Sequence, residues 1–392
     1  MQHCNSQISN LKSQFIVVIA DDITGAAEIA GIGLQFGLRV SLVMYVGDDA
    51  INIPPACDLL IFATDTRSMN EFESTYETVR LCTLIAGMGC TRVFKKTDSA
   101  LRGHILIELT ELMRATGKKR ALLLPQNPGK GRTIVNGTYY INGTLLHETA
   151  FAHDPEFPAR SARVSLLCHG AEILPIKKGI EGEGIYIAEA ATPEEVVLQT
   201  TKLDEHMLPA GGAEFFTAYL LSEGYNTPKE KPAFDRLANN GALIVLGSTA
   251  RHSIMDFPYI GRHQIPAYNT PRLLFFRGAP KQWVEKIGRA YTQHHSLIIY
   301  TNYPPMKGRE YAVNLREHIG ETVRLLLLQR HPQELIIEGG ATAFAILKRL
   351  GWKVFNLQCE VAPGVIRMIP DKQPDTTITL KPGSYPWGDL FN

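Results

Sequence analysis

Short apolar runs, each closed by a cluster of polar residues, alternate along this chain with stretches whose apolar positions fall at helical spacing. The run over 15–20 is mostly β-branched and predicts a buried strand. Asp21 and Asp22 stand where that strand ends. Thr24-Gly25 then opens a segment with apolar residues at Ile29, Ile32, Leu34 and Phe36, and Gly37 closes it as a helix-terminating glycine. The same pattern predicts strands over 39–46, 59–63, 92–95 and 121–124, with helices over 71–86 and 105–114. Such alternation predicts a parallel sheet with helices on both faces.

The polar clusters fall just after these strands: Asp21 and Asp22; Asp65 and Arg67; Lys96, Asp98 and Arg102; Lys130 and Arg132. A parallel sheet sets those strand ends along one rim, where open α/β sheets bind ligands. The plainer alternative is that loops are polar anyway, with Asp22 or Thr24 doing no more than capping the helix.

Beyond 124 the pattern changes. Asn136-Gly137 and Asn142-Gly143 are hairpin-turn dipeptides, so 135–146 reads as a β excursion, a lid or a dimer arm. His147 and His153 flank it without metal-ligand spacing and read as structural. A helix over 162–168, a strand over 185–188 and helices over 193–205 and 214–221 follow. The stretch 223–240, rich in Gly, Pro and Asn, reads as a linker and hinge.

A second α/β run then predicts strands over 242–246, 272–276, 297–300, 335–337 and 354–357, with helices over 251–260, 283–294, 315–329 and 342–350. Its loops are rich in glycine and hydroxyls: Gly247-Ser248-Thr249, Glu338-Gly339-Gly340-Ala341-Thr342, Pro363-Gly364-Val365 and Lys381-Pro382-Gly383-Ser384. Glycine lets the backbone come close to a phosphate. Neither a P-loop nor a dinucleotide-binding G-x-G-x-x-G is present.

The length of 392 residues suggests two domains, over 1–230 and 231–392. A net charge of +1 speaks against a nucleic-acid partner. The six cysteines form no C-x-x-C pair, which speaks against zinc and for a reducing cytoplasm. No signal peptide and no run long enough to span a bilayer is seen.

Taken together, 20–26, 96–103 and Gly131-Arg132-Thr133 resemble the four-carbon acid sugar kinase family, the tetronate kinases. So do Asn142-Gly143 with 146–149, and 339–342 with Pro363-Gly364-Val365. The resemblance implies an α/β fold of two domains, each a mainly parallel sheet flanked by helices. The first would bind the sugar acid, the second ATP, with the active site in the cleft between them. Three stretches depart from the family pattern: Lys381-Pro382-Gly383-Ser384-Tyr385-Pro386-Trp387-Gly388, Ile366 after Pro363-Gly364-Val365, and Thr249 after Gly247-Ser248.

On this basis the reaction expected is transfer of the ATP γ-phosphoryl group to a hydroxyl of threonate, erythronate or an oxo-tetronate. Mg²⁺ would bridge the phosphates, with no dedicated protein metal site. Arg67 and Arg102 are candidates for the substrate carboxylate. Asp21, Asp22, Lys96, Asp98 and Ser99 complete the candidate substrate site. Either Asp98 or Asp22 is a candidate to accept the hydroxyl proton, and Lys96 to neutralise the phosphoryl group or pair with Asp98. Ser248, Gly339, Gly340, Thr342, Pro363, Gly364, Val365 and Gly383 are candidate nucleotide contacts. A homodimer is a further expectation. A silent sugar-acid sensor and a non-kinase enzyme are the competing readings.

Overall fold

A computed structural model describes residues 15–47, 57–154, 157–227, 241–247, 265–304, 306, 308–383 and 385–391. In the first domain the strands are β1 (Ile16–Ala20), β2 (Val40–Met44), β3 (Leu59–Ala63), β4 (Val93–Lys96) and β5 (Arg120–Leu124). A small antiparallel sheet follows, of β6 (Arg132–Val135), β7 (Thr138–Ile141) and β8 (Thr144–Leu145). Then come β9 (Glu172–Leu174), β10 (Gly184–Ala188) and β11 (Met207–Gly211). The large sheet runs β2-β3-β1-β4-β11-β5-β10-β9, all parallel. Helices α1 (Ile23–Gln35), α2 (Glu71–Met88), α3 (Ile105–Thr116), α4 (Pro193–Thr200) and α5 (Ala213–Ser222) cover it. Strands β1, β2 and β3 are buried at every position, as their continuous apolar runs require of a sheet covered on both faces.

The second domain holds β12 (Ala242–Leu246), β13 (Ala267–Asn269), β14 (Leu297–Tyr300), β15 (Glu334–Glu338), β16 (Val354–Ala362), β17 (Val365–Pro370) and β18 (Thr377–Lys381). Its helices are α6 (Lys281–His294), α7 (Arg309–Leu327) and α8 (Gly340–Leu350). The order is β13-β14-β12-β15-β18-β17-β16, parallel from β13 to β18 and antiparallel through the β16–β17–β18 meander.

Both domains thus carry the expected mainly parallel sheets, but these sheets are continuous. Strand β16 pairs antiparallel with β2, placing Val354 opposite Val43 and Phe355 opposite Leu42, in one fifteen-stranded sheet. Strand β15 therefore runs antiparallel to β1, six strands away. Neighbouring strands rotate about 20–25°, so the accumulated turn is about 120–150°. That turn brings the carboxyl ends of β1 and β15, opposite in a flat sheet, round toward the same side.

Several local expectations are corrected. Residues expected as a strand over 272–276 form a 3₁₀ turn, Arg272–Phe275, because consecutive Leu274 and Phe275 are buried while Leu273 and Phe276 are exposed. The helix expected over 162–168 is one turn, Val164–Leu167, ended as the chain heads into Gly170 at φ 99°. The β excursion forms with both Asn-Gly turns in left-handed backbone (Asn136 φ 50°, Asn142 φ 49°). It folds back on its own domain: Tyr139 is fully buried and its hydroxyl donates to the Ser99 carbonyl. The linker core over 228–240, the helix expected over 251–260 and Ser248 lie outside the described residues. Among the described residues no helix is long and apolar enough to cross a membrane.

Candidate functional site

The connection from β1 leads toward β2 and the connection from β4 toward β5, so a topological switch point opens between β1 and β4. Asp22 is the N-cap of α1, accepting from the Gly25 amide at 2.7 Å, and it also pairs with the Arg67 guanidinium. Capping and site chemistry are here one arrangement. Arg67 comes from the 3₁₀ turn Thr66–Ser68 after β3. Its guanidinium reaches three carboxylates: Asp22, Asp98 at 3.1 Å and Asp21 at 3.7 Å.

Asp98 is the most heavily bonded of these. Arg102 grips it in two-point fashion, at 2.9 and 2.8 Å, and the amides of Ala100 and Arg102 donate at 3.0 and 3.2 Å. Burial opposes ionisation of Asp98, but the charges of Arg102, Arg67 and Lys96 outweigh it and hold the carboxyl far below the usual carboxylate range. Arg102 also donates to Asp154 at 2.7 Å. Asp21 differs: it is buried, and neither carboxylate oxygen accepts a hydrogen bond.

Lys96 does not pair with Asp98. Its ammonium lies 3.4 Å from Glu28 of α1 and donates to the Thr97 carbonyl. Lys130 donates to the same Glu28 at 2.7 Å, and Tyr385 of the second domain donates to it at 3.1 Å. Burial pushes the Glu28 carboxyl up, but Lys96 and Lys130 outweigh that and hold it down to about 2. Ser99 is buried beside Asp98, and its hydroxyl accepts from Arg132.

The second rim lies at the switch point between β12 and β15. Gly339, at φ 102°, ends the β15 loop, and α8 begins at Gly340 without a side-chain cap. Uncapped amides at a helix start favour a phosphate. Thr342 packs so closely on Gly247 that a Cβ there would overlap it. Lys381, buried at the end of β18, donates to Glu338 at 2.8 Å and to the carbonyls of Pro382 and Gly383. Pro363-Gly364 is the turn between β16 and β17, with Val365 fully buried; a Cβ on Gly364 would come 2.6 Å from the Tyr385 ring. The close approaches of this rim are thus met by the protein's own side chains, Thr342 at Gly247 and Tyr385 at Gly364.

The two rims touch. A Cβ on Gly340 would overlap the Thr24 hydroxyl, so the first turns of α1 and α8 are in direct contact. The structure therefore gathers Asp21, Asp22, Arg67, Lys96, Asp98, Ser99 and Arg102 on one rim and sets Gly339, Gly340 and Thr342 beside it. Glu28, Tyr385 and Asp154 were not foreseen. Glu28 has a local signal, being the one ionisable residue of α1; Tyr385 and Asp154 have none.

The family described as a sugar-binding N-terminal domain matches residues 16–171, and the one described as a nucleotide-binding C-terminal domain matches 243–385. A D-threonate kinase of Salmonella typhimurium is 23% identical over 89% of each chain. A 3-oxo-tetronate kinase of Pseudomonas fluorescens is 23% identical over 95% of each. The 3-oxo-tetronate kinase of Escherichia coli is 31% identical over 36% of this chain and 37% of its own. A solved Haemophilus influenzae structure superposes with a TM-score of 0.71 at 20% identity, covering 96% of this chain and 98% of that one, which shows the fold.

Proposed function

We propose that this chain, which belongs to the tetronate/threonate kinase family, transfers the γ-phosphoryl group of ATP to a hydroxyl of a four-carbon sugar acid. The observation that carries this reading is the contact of Thr24 with Gly340, which joins the carboxylate-and-arginine rim to the uncapped start of α8. A phosphoryl donor held by one rim and an acceptor hydroxyl held by the other would lie to either side of that contact, and the reaction asks chiefly for such positioning. We keep the domain boundary between 230 and 231, in the stretch whose composition reads as a linker.

The hydroxyl oxygen attacks the γ-phosphorus, the bond to the β–γ bridging oxygen breaks, and ADP leaves. The proton goes to a carboxylate. Asp98 already accepts from two arginines and two amides, which suits it to fixing Arg67 and Arg102. Asp22 is engaged by Gly25 and Arg67. Asp21 keeps both oxygens free of hydrogen bonds, so we assign it the proton. Lys96 would stabilise charge on the transferring group, and Mg²⁺, bound through the phosphates, would supply further neutralisation.

The test is ATP consumption with Mg²⁺ against threonate, erythronate and their oxo derivatives in each configuration. Turnover of at least one acid is expected. No turnover, together with no ATP binding by calorimetry, would overturn the reading.

A further inference from the structure

Three arginines stand on the first rim, and they are not equivalent. Arg67 faces three carboxylates. Arg102 is committed to Asp98 and Asp154. Arg132, the first residue of β6, has no carboxylate partner among the described residues. Its guanidinium donates to the Ser99 hydroxyl and stacks over the Phe151 ring, 5.6 Å from the centroid. Arg102 lies 5.0 Å from the centroid of the same ring. Phe151 thus fixes two guanidiniums side by side, one compensated and one not.

A carboxylate brought to Arg67 or Arg102 would meet negative charge already gathered there. The same carboxylate brought to Arg132 would meet a half-buried cation whose fork has donors to spare. Tyr139 holds the site's other side by donating to the Ser99 carbonyl, so the loop that carries Asp98 and Ser99 is clamped between β6 and β7. Resting on the kinase reading above, we infer that Arg132 receives the carboxylate of the substrate acid, and that Arg67 and Arg102 position the acidic residues. The β6–β7 hairpin is then the element that selects acids over neutral polyols. Phe151 is a positioning residue, holding the Arg132 fork toward the ligand.

The experiment compares wild type with Arg132→Met, Arg132→Lys and Phe151→Ala. Steady-state rates are measured with the acid that wild type turns over, with its uncharged amide and with varied ATP. Arg132→Met is expected to raise KM for the acid at least about 10-fold, the worth of a charge-assisted hydrogen bond. KM for ATP should hold, and the preference for acid over amide should collapse. Arg132→Lys should recover part of the loss, a point charge lacking the fork. Phe151→Ala should raise KM for the acid with the charge intact. An unchanged KM for the acid in Arg132→Met, or a rise in KM for ATP instead, would overturn the inference. Thermal stabilisation by threonate and erythronate, read without ATP, separates this inference from the kinase reading. Stabilisation of wild type but not of Arg132→Met upholds the carboxylate site even where no phosphoryl transfer is seen. Equal stabilisation of both, or of neither, overturns it.

Discussion

Gly340, the first residue of α8, lies against Thr24, in the first turn of α1, so closely that one methyl group at 340 would overlap the threonine hydroxyl. The pair is the point where the two rims meet, and it has no slack. Gly340→Ala is expected to lower kcat/KM at least about 10-fold by pushing α8 from α1, a displacement of the kind that costs catalysis steeply. Thr24→Ala on that background removes the overlapping atom. The two substitutions should couple by about 0.5–3 kcal/mol in a double-mutant cycle on kcat/KM. Strict additivity would mean the rims are not spaced by this contact.

Asp98→Asn tests the anchor. Removing one partner of a buried charged cluster leaves Arg67 and Arg102 under-compensated, at a cost of about 3–5 kcal/mol near neutral pH. The Asp98 carboxyl sits far below its unfolded value of about 3.9, so its ionised form stabilises the fold above that pH. Its contribution falls away as pH drops toward the folded value. The gap in thermal midpoint between wild type and variant should be constant from pH 8 to about 5 and narrow below about 3.9. A gap that widened in acid would contradict the ion-pair account.

Asp21→Asn should behave differently. Its carboxylate accepts no hydrogen bond and meets Arg67 only at 3.7 Å, so the loss of stability should be smaller than for Asp98→Asn, while the proton acceptor is lost. A fall in kcat of about 10²–10⁴-fold is expected, with KM for the acid within a few-fold of wild type. Retained kcat would return the role to Asp22 or Asp98.

Strand ends and their polar clusters were legible because buried parallel strands are short apolar runs and their loops follow at once; Asp21, Asp22, Arg67, Lys96, Asp98 and Arg102 did converge. Partners were less legible than positions. Lys96 stands two residues before Asp98 in sequence, yet pairs with Glu28: Lys96 is the last residue of β4 and lies 3.4 Å from that carboxylate on α1, whereas Asp98 sits in the loop beyond the strand, gripped by Arg102. Tyr385 reaches Glu28 across 357 residues, with no periodic signal to announce it. The pairing of β2 with β16 was equally silent: an edge strand's backbone accepts any partner, and Val40–Met44 reads the same whether its neighbour is solvent or the other domain.

Glu28 gathers three partners from three places: Lys96 at the end of β4, Lys130 after β5, and Tyr385 from the chain's last stretch. Lys130 also lies 5.2 Å from the Tyr385 ring centroid, and that ring covers Gly364. Glu28→Gln leaves the shape but removes the charge that draws these groups together. The terminal segment should then detach from the first domain, seen as faster hydrogen exchange over 382–391 with exchange in β1 and β3 unchanged. Lys96 would lose its partner, so kcat should fall as well. The Glu28 carboxyl is held at about 2, below its ordinary 4.5, so its contribution is complete above about pH 4.5 and is lost as pH falls to about 2. In wild type the same increase in exchange over 382–391 should appear on acidification through that window, and Glu28→Gln should show it already at neutral pH. Equal protection of this segment in both proteins at pH 7 would mean that Tyr385 is held by its packing on Gly364 rather than by the carboxylate.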